Sequence, residues 1–246
     1  MKVTAVIPCY NSMRFLKECV DSVLNQDYPD LHVWAYDNES SDGTYEYLLE
    51  LEKDNDNLRV FQLPNIYPNG YGEAQEHIIE NLETDYVTFV GSDDFIDPNY
   101  ISNCMKIISH NPEKIKCLQS GIIGIQNGNV VNHQTHSYKS IEEFKNQCLN
   151  KSPVNTPTLV FHKSVIKHLR THKAHTHNNV ACIGGGDYDT YCFMADIGIF
   201  IFPVPKNLGY KYRWHENQCT WKVHEQKHKI DYDKLIQNYW KQKWNL

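Results

Sequence analysis

The sequence predicts an α/β fold: a mostly parallel central sheet flanked by helices, in a single domain. Two observations carry that prediction. Short runs of β-branched and aromatic residues at 2–7, 31–36, 58–63 and 86–90 alternate with stretches whose apolar residues recur at helical spacing. Parallel neighbours need crossover connections, so this alternation argues for a doubly wound sheet. The run Tyr86-Val87-Thr88-Phe89-Val90 is apolar or β-branched throughout, as suits a strand covered on both faces. It ends abruptly at Gly91-Ser92, and Asp93-Asp94 follow.

Taken in order, residues 2–7 are the first strand, which runs into Pro8-Cys9-Tyr10-Asn11. Phe15, Leu16, Cys19, Val20, Val23 and Leu24 mark one face of a helix over 12–25. The second strand, 31–36, closes in Asp37-Asn38-Glu39-Ser40-Ser41-Asp42-Gly43-Thr44, with Asp42 the expected N-cap of a helix to residue 51. A third strand over 58–63 leads through a Pro-, Asn- and Gly-rich loop to a helix over 72–82, and 86–90 is the fourth strand.

Beyond Asp97-Pro98 the rhythm changes. The pattern predicts a helix over 100–109, one strand over 117–125, a hairpin turn at Asn127-Gly128, and a helix over 141–149. A short strand over 158–161 and a helix over 164–169 come next, and 170–180 reads as an exposed, histidine-rich loop. Gly184-Gly185-Gly186 then presents Asp187 at the start of a helix, where it suits a catalytic carboxylate and equally a plain N-cap. A strand-like run over 199–204 precedes Tyr210-Lys211-Tyr212-Arg213-Trp214-His215.

The totals narrow the function classes. The chain of 246 residues carries a net charge of -6 with scattered basic residues, which argues against nucleic acid as a partner. No apolar run is long enough to span a bilayer, and Met1-Lys2 leads straight into a strand, so a cytoplasmic protein is expected. The eight cysteines are dispersed without a CxxC pair, as expected of reduced, structural thiols.

Tyr10-Asn11, Asp37 and Asp93-Asp94 all fall just past the carboxyl ends of predicted strands, where open α/β sheets bind ligands. Adjacent carboxylates at a strand end repel one another, so a site that keeps both charged supplies a cation. A divalent metal holding a diphosphate meets that need, and a helix cap is the alternative.

The combination Pro8-x-Tyr10-Asn11, Asp37-Asn38-x-Ser40-x-Asp42-Gly43-Thr44, Ser92-Asp93-Asp94, Asp187-Tyr188-Asp189 and Tyr212-Arg213-x-His215 resembles family 2 glycosyltransferases of the GT-A fold, over roughly residues 1–221. The resemblance implies a GT-A-like domain over 1–221, with a nucleotide-sugar half over 1–98, an acceptor and catalytic half over 99–221, and a helical tail over 222–246. It implies inverting transfer of a sugar from a nucleotide-diphosphate donor, usually a UDP-sugar, to an acceptor hydroxyl in polysaccharide or glycan synthesis, with Mn²⁺ or Mg²⁺. By the same resemblance Pro8, Tyr10, Asn11 and Asp37 line the nucleotide pocket, with Asp37 facing the base. Asp93 and Asp94 contact ribose and metal, His215 completes the metal or diphosphate site, and Asp187 is the base. Two positions depart from the family's pattern. Gly91 stands where many members have the first Asp of the motif, and Gly186 where many have Glu, so that Asp189 stays a minor candidate for the base.

Three rival readings accompany this one. A non-catalytic nucleotide- or sugar-binding module would keep the fold without turnover. His224-Glu225-x-x-His228 matches the zinc-peptidase pattern, in a strongly polar setting and a chain with thirteen histidines. His168, His172, His175 and His177 could hold a metal, though a solvated loop is the simpler reading. Tyr232, Leu235, Ile236, Tyr239 and Trp240 form a stripe on a final helix with Lys234, Lys241 and Lys243 nearby. Packing on the domain is the first expectation for that stripe. Peripheral membrane contact, useful with a lipid-linked acceptor, is the second.

Overall fold

A computed structural model describes residues 1–65, 72–168, 186–218 and 231–246. The first half alternates as predicted: β1 (Val3–Cys9), α1 (Met13–Leu24), β2 (Leu31–Asp37), α2 (Thr44–Asp54), β3 (Leu58–Gln62), α3 (Gly72–Asn81) and β4 (Tyr86–Phe89). Next come β5 (Phe95–Ile96), α4 (Tyr100–Ser109), β6 (Cys117–Ser120), β7 (Ile122–Gln126), β8 (Asn129–Gln134) and α5 (Ile141–Cys148). A 3-10 turn (Thr156–Thr158), β9 (Val160–His162), α6 (Lys163–Ile166), α7 (Gly186–Asp196), β10 (Ile201–Val204), β11 (Tyr210–Arg213) and α8 (Tyr232–Trp244) complete the described chain.

Among the described residues the strands form two sheets. The larger has seven strands in the order β10-β6-β9-β4-β1-β2-β3, and the smaller four in the order β5-β11-β7-β8. Within the large sheet β1 pairs in parallel with β2 and β4, and only β9 runs antiparallel to its neighbours, β4 and β6. Val3 to Ile7 are all buried, as a central strand covered on both faces requires. Leu16, Cys19, Val20 and Val23 of α1 pack on one face; each such buried aliphatic contributes about 1.5–3 kcal/mol.

The strand predicted over 117–125 is two strands in different sheets. The switch falls at Gly121, where a β-carbon would lie 2.5 Å from Leu208 Cδ2 and 2.9 Å from Thr135 Cγ2. Only glycine lets the backbone pass so close. The Asn127-Gly128 hairpin is present, both residues at positive φ, and joins β7 to a strand the pattern had not predicted. That strand, β8, is exposed at every residue, so no buried face marks it in the sequence. The strand expected over 158–161 starts at Val160, because Thr156–Thr158 winds into the 3-10 turn. The cap of α2 is Gly43; Asp42, one residue earlier, accepts from the Thr44 N–H at 3.1 Å and from the Met13 N–H at 3.0 Å.

The stripe on the final helix divides. Tyr232, Ile236 and Trp240 are buried in the second core cluster, while Leu235 and Tyr239 stay exposed. Cys9, Cys19, Cys104, Cys117, Cys148 and Cys192 are free and buried, matching the expected structural thiols. Among the described residues no helix is long and apolar enough to cross a membrane. The 170–180 loop with His172, His175 and His177, the His224–His228 motif, Gly184-Gly185, Cys182 and Cys219 lie outside the described residues.

Candidate active site

The parallel register delivers three polar clusters to one edge of the large sheet. Cys9 pairs with Asp37, and Asp37 with Gln62, so the ends of β1, β2 and β3 stand level. Pro8 and Tyr10 are exposed there, two residues apart on one face. Asn11, at a φ of 48°, turns the chain; its Oδ1 accepts from the Ser41 N–H at 2.8 Å and its own N–H donates to Ser40 Oγ at 2.9 Å. The β1 and β2 loops are thereby locked together.

Asp37 is fully buried. Its Oδ2 accepts from the Ser40 N–H at 3.1 Å and from Gln62 Nε2 at 3.2 Å, while its Oδ1 is buried without a hydrogen-bond partner among the described residues. An orphaned buried carboxyl oxygen costs about 1–3 kcal/mol, so it marks a place where a ligand donor would be welcome.

Ser12 Oγ and Ser92 Oγ, 2.8 Å apart, tie this cluster to the one after β4. Asp94 is buried with both oxygens engaged: Oδ2 accepts from the Tyr210 hydroxyl at 2.8 Å and Oδ1 from the Arg213 N–H at 2.8 Å. Burial first, and the Asp93 charge second, push its carboxyl pKa well above the usual carboxylate range. Asp93 is more open, and its Oδ2 meets His215 Nε2 at 3.0 Å. Gly91 leaves no room for a larger residue in this arrangement: a β-carbon would lie 2.9 Å from Asp94 Oδ2 and 3.0 Å from Asp93 Oδ1.

The donor set bears on a metal. One carboxylate and one imidazole suit Mn²⁺, and cis ligands about 2.1 Å from an octahedral ion sit about 3.0 Å apart. The Asp93–His215 spacing of 3.0 Å thus suits a shared proton and a shared cation alike. Among the described residues no group of three or more His, Cys, Asp or Glu gathers. A cation held here would take its remaining ligands from a diphosphate and water, as Mg²⁺ and its relatives commonly do.

Asp187 sits in the first turn of α7, and among the described residues no hydrogen bond or ion pair joins it to the Asp37 and Asp93 clusters. It is only half-buried by exposure, yet enough protein surrounds it that burial raises its carboxyl pKa to about 6. Burial first, and the Asp187 charge second, raise the hydroxyl pKa of Tyr191, one turn on. Asp189 faces the other way, fully buried, and accepts from the Trp240 indole N–H at 2.8 Å. That leaves Asp187 the better placed of the two for contact with a ligand.

Residues 4–170 match glycosyl transferase family 2. The chain belongs to that family. Among its relatives is the chondroitin synthase of Pasteurella multocida, 32% identical over 104 residues, which are 42% of this chain and 10% of that protein. Two solved structures share the fold. Staphylococcus aureus TarS 1-349 in complex with UDP-GlcNAc has a TM-score of 0.63 and 20% identity, covering 89% of this chain and 60% of that one. The mannosyltransferase PcManGT of Pyrobaculum calidifontis, in complex with GDP-Man and Mn²⁺, has a TM-score of 0.63 and 16% identity, covering 94% and 62%. The chain therefore spans a small part of its curated relative and roughly six tenths of these structural neighbours. The large, mostly parallel sheet with flanking helices agrees with the GT-A expectation.

Proposed function

We propose that the chain transfers a sugar from a UDP-sugar to an acceptor hydroxyl with inversion, in the synthesis of a polysaccharide or related glycan. Asp37 carries the choice of nucleotide. Among the described residues it offers one orphaned oxygen, Oδ1. Uracil presents one N–H between two carbonyls and needs one acceptor. Guanine presents two adjacent donors and would call on both carboxyl oxygens, of which Oδ2 is already engaged. Family membership and the nucleotide-bound neighbours support a nucleotide-sugar donor.

In this reading Asp93 and His215 would hold a divalent ion together with the donor diphosphate. When bound, the ion supplies positive charge where the leaving group gains negative charge. Asp94 is the anchor beneath, tying β11 to the loop after β4. Asp187 takes the acceptor hydroxyl's proton from the face opposite the leaving group. With a pKa of about 6 it is ionised at neutral pH and more basic than an ordinary carboxylate. General-base help of this kind is worth about 10²–10⁴ in rate. The acceptor is a carbohydrate or lipid-linked alcohol.

Calorimetric titration of UDP and GDP, each with and without Mn²⁺, on wild type and Asp93→Ala, tests the proposal. UDP is expected to bind more tightly with Mn²⁺, GDP about tenfold more weakly than UDP, and the variant to lose the metal effect, each tenfold step being about 1.4 kcal/mol. Equal affinity for the two nucleotides would remove the role given to Asp37. A non-catalytic module on the same fold is the second reading, favoured by Gly91 in place of an acidic residue. Metal-dependent UDP binding without UDP release from any UDP-sugar and acceptor pair would select it.

A further inference from the structure

We propose that Phe15 and Arg213 are positioning residues that set the spacing of Asp93 and His215, with the first turns of α1 as their mount. The inference rests on the donor-site reading above and deepens it. Arg213 grips both carboxylate residues of the β4 loop. Its backbone N–H donates to Asp94 Oδ1 at 2.8 Å, and its Nε–H donates to the Asp93 carbonyl at 2.7 Å. The rest of the guanidinium is held from α1. Nη2 donates to Glu18 Oε2 at 2.6 Å, and the Phe15 and Phe95 rings flank the group, their centroids 4.5 and 5.1 Å from Cζ.

Phe15 also meets the second ligand candidate. Its ring lies 4.8 Å from that of His215, tilted by 52°, and its neighbour Arg14 donates to Glu216 Oε1 at 2.6 Å. Three side chains in the first two turns of α1 thus hold residues 213, 215 and 216 of one segment. The exposed Arg14–Glu216 ion pair contributes little stability; its value is in fixing direction. The Arg213 side chain is only 14% exposed, and its Cζ lies over both the Phe15 and the Phe95 ring, which restrains its plane. Through that plane the Asp93 main chain is fixed on one side, and through Phe15 the His215 ring on the other.

This assigns the function to particular chemistry. Lysine at 213 would keep the charge, but it could not reach the Asp93 carbonyl and Glu18 together while presenting a planar group to the two rings. Leucine at 15 would fill the volume without offering a ring face to the guanidinium or a ring contact to His215.

The test measures Mn²⁺ binding in the presence of UDP by electron paramagnetic resonance of the free ion, beside UDP binding in EDTA by calorimetry. Wild type is compared with Phe15→Leu, Arg213→Lys and Glu18→Gln. Loss of an outer-shell partner commonly costs between about 10-fold and 100-fold in metal affinity. Phe15→Leu and Arg213→Lys are expected in that range, with UDP affinity in EDTA unchanged; Glu18→Gln, at an exposed site, gives a smaller loss of the same sign. Unchanged Mn²⁺ affinity in the first two variants would overturn the proposal. So would an equal fall with and without metal, since general weakening of the fold predicts that. A wild type that binds no Mn²⁺ with UDP would overturn the donor-site reading and this inference together, whereas a binding wild type with indifferent variants overturns the inference alone.

Discussion

The Trp240 indole N–H donates to Asp189 Oδ1 across 2.8 Å, with both side chains fully buried. Four residues on, Trp244 donates to Asp196 Oδ1 at 3.1 Å, and Lys243 pairs with the same carboxylate at 2.9 Å. The last described helix is therefore bolted to α7, which carries Asp187 in its first turn. Trp240→Phe keeps most of the packing and removes the donor, leaving a buried carboxylate short of a partner. The expected cost is about 1–3 kcal/mol in unfolding free energy, read by urea denaturation. A change within error would show that Asp189 is satisfied without the indole.

Removal of residues 231–246 would expose the apolar faces that Tyr232, Ile236 and Trp240 cover. Loss of three large buried side chains at about 1.5–3 kcal/mol each is enough to unfold a marginally stable domain. The truncated chain is expected to lose its cooperative thermal transition. A sharp transition in the truncated chain would show that the helix is an accessory. Sedimentation of the full chain with anionic liposomes then reads whether the exposed Leu235 and Tyr239 touch a membrane surface.

Asp187 links activity and stability with opposite signs. Burial raises its carboxyl from 3.8 to about 6, so the folded state holds that proton more tightly than the unfolded chain does. Its contribution to stability is greatest below the ordinary value, falls as pH rises towards about 6, and is flat above that. Asp187→Asn removes the penalty and is expected to raise stability at pH 8 by up to about 3 kcal/mol. The same variant is expected to abolish transfer while sparing UDP affinity. In wild type, kcat/KM is expected to fall as pH drops through about 6. A profile flat from pH 5 to 8 would remove Asp187 as the titrating base.

Gly91 offers a test of the departure from the family's acidic motif. A β-carbon there would crowd Asp94 Oδ2 at 2.9 Å and Asp93 Oδ1 at 3.0 Å. Gly91→Asp, which restores the acidic residue many members carry, is therefore expected to lower metal-dependent UDP affinity. Higher affinity would mean that the loop relaxes to admit a third carboxylate.

The first half of the fold was legible because its strands are short β-branched and aromatic runs, β1 buried throughout from Val3 to Ile7, and its helices carry apolar residues at helical spacing. Gly121 was illegible as a break because its neighbours, Leu208 and Thr135, arrive from distant parts of the chain. β8 lacks a buried face and so carries no alternation to read. At the candidate site, Asp37 and Asp93 stand out in the sequence as strand-end carboxylates, while His215 is singled out by the family resemblance alone. The different surroundings of Asp93 and Asp94 cannot be read there, since they depend on Tyr210 and the Arg213 N–H reaching one of the two. Arg213 falls in the Tyr212-Arg213-x-His215 piece of the family resemblance, but its partners on α1, Phe15 and Glu18, show only in the fold. The tail stripe was half legible: its spacing showed a helix with an apolar side, but not that Leu235 and Tyr239 would be left outside.

The reversed strand β9 has its own consequence. Because it enters the sheet against the direction of β4 and β6, the chain just before it, 155–158, lies at the same rim as Asp93-Asp94. There Asn155 donates to the Ser120 and Gln134 carbonyls, and Thr158 to the Ser120 carbonyl, all from buried positions. Such a fully engaged segment behaves as masonry and not as a hinge. Substitution at the outward Thr156 would therefore change the surface of this stretch of rim while the Asn155 and Thr158 bonds that hold it stay as they are.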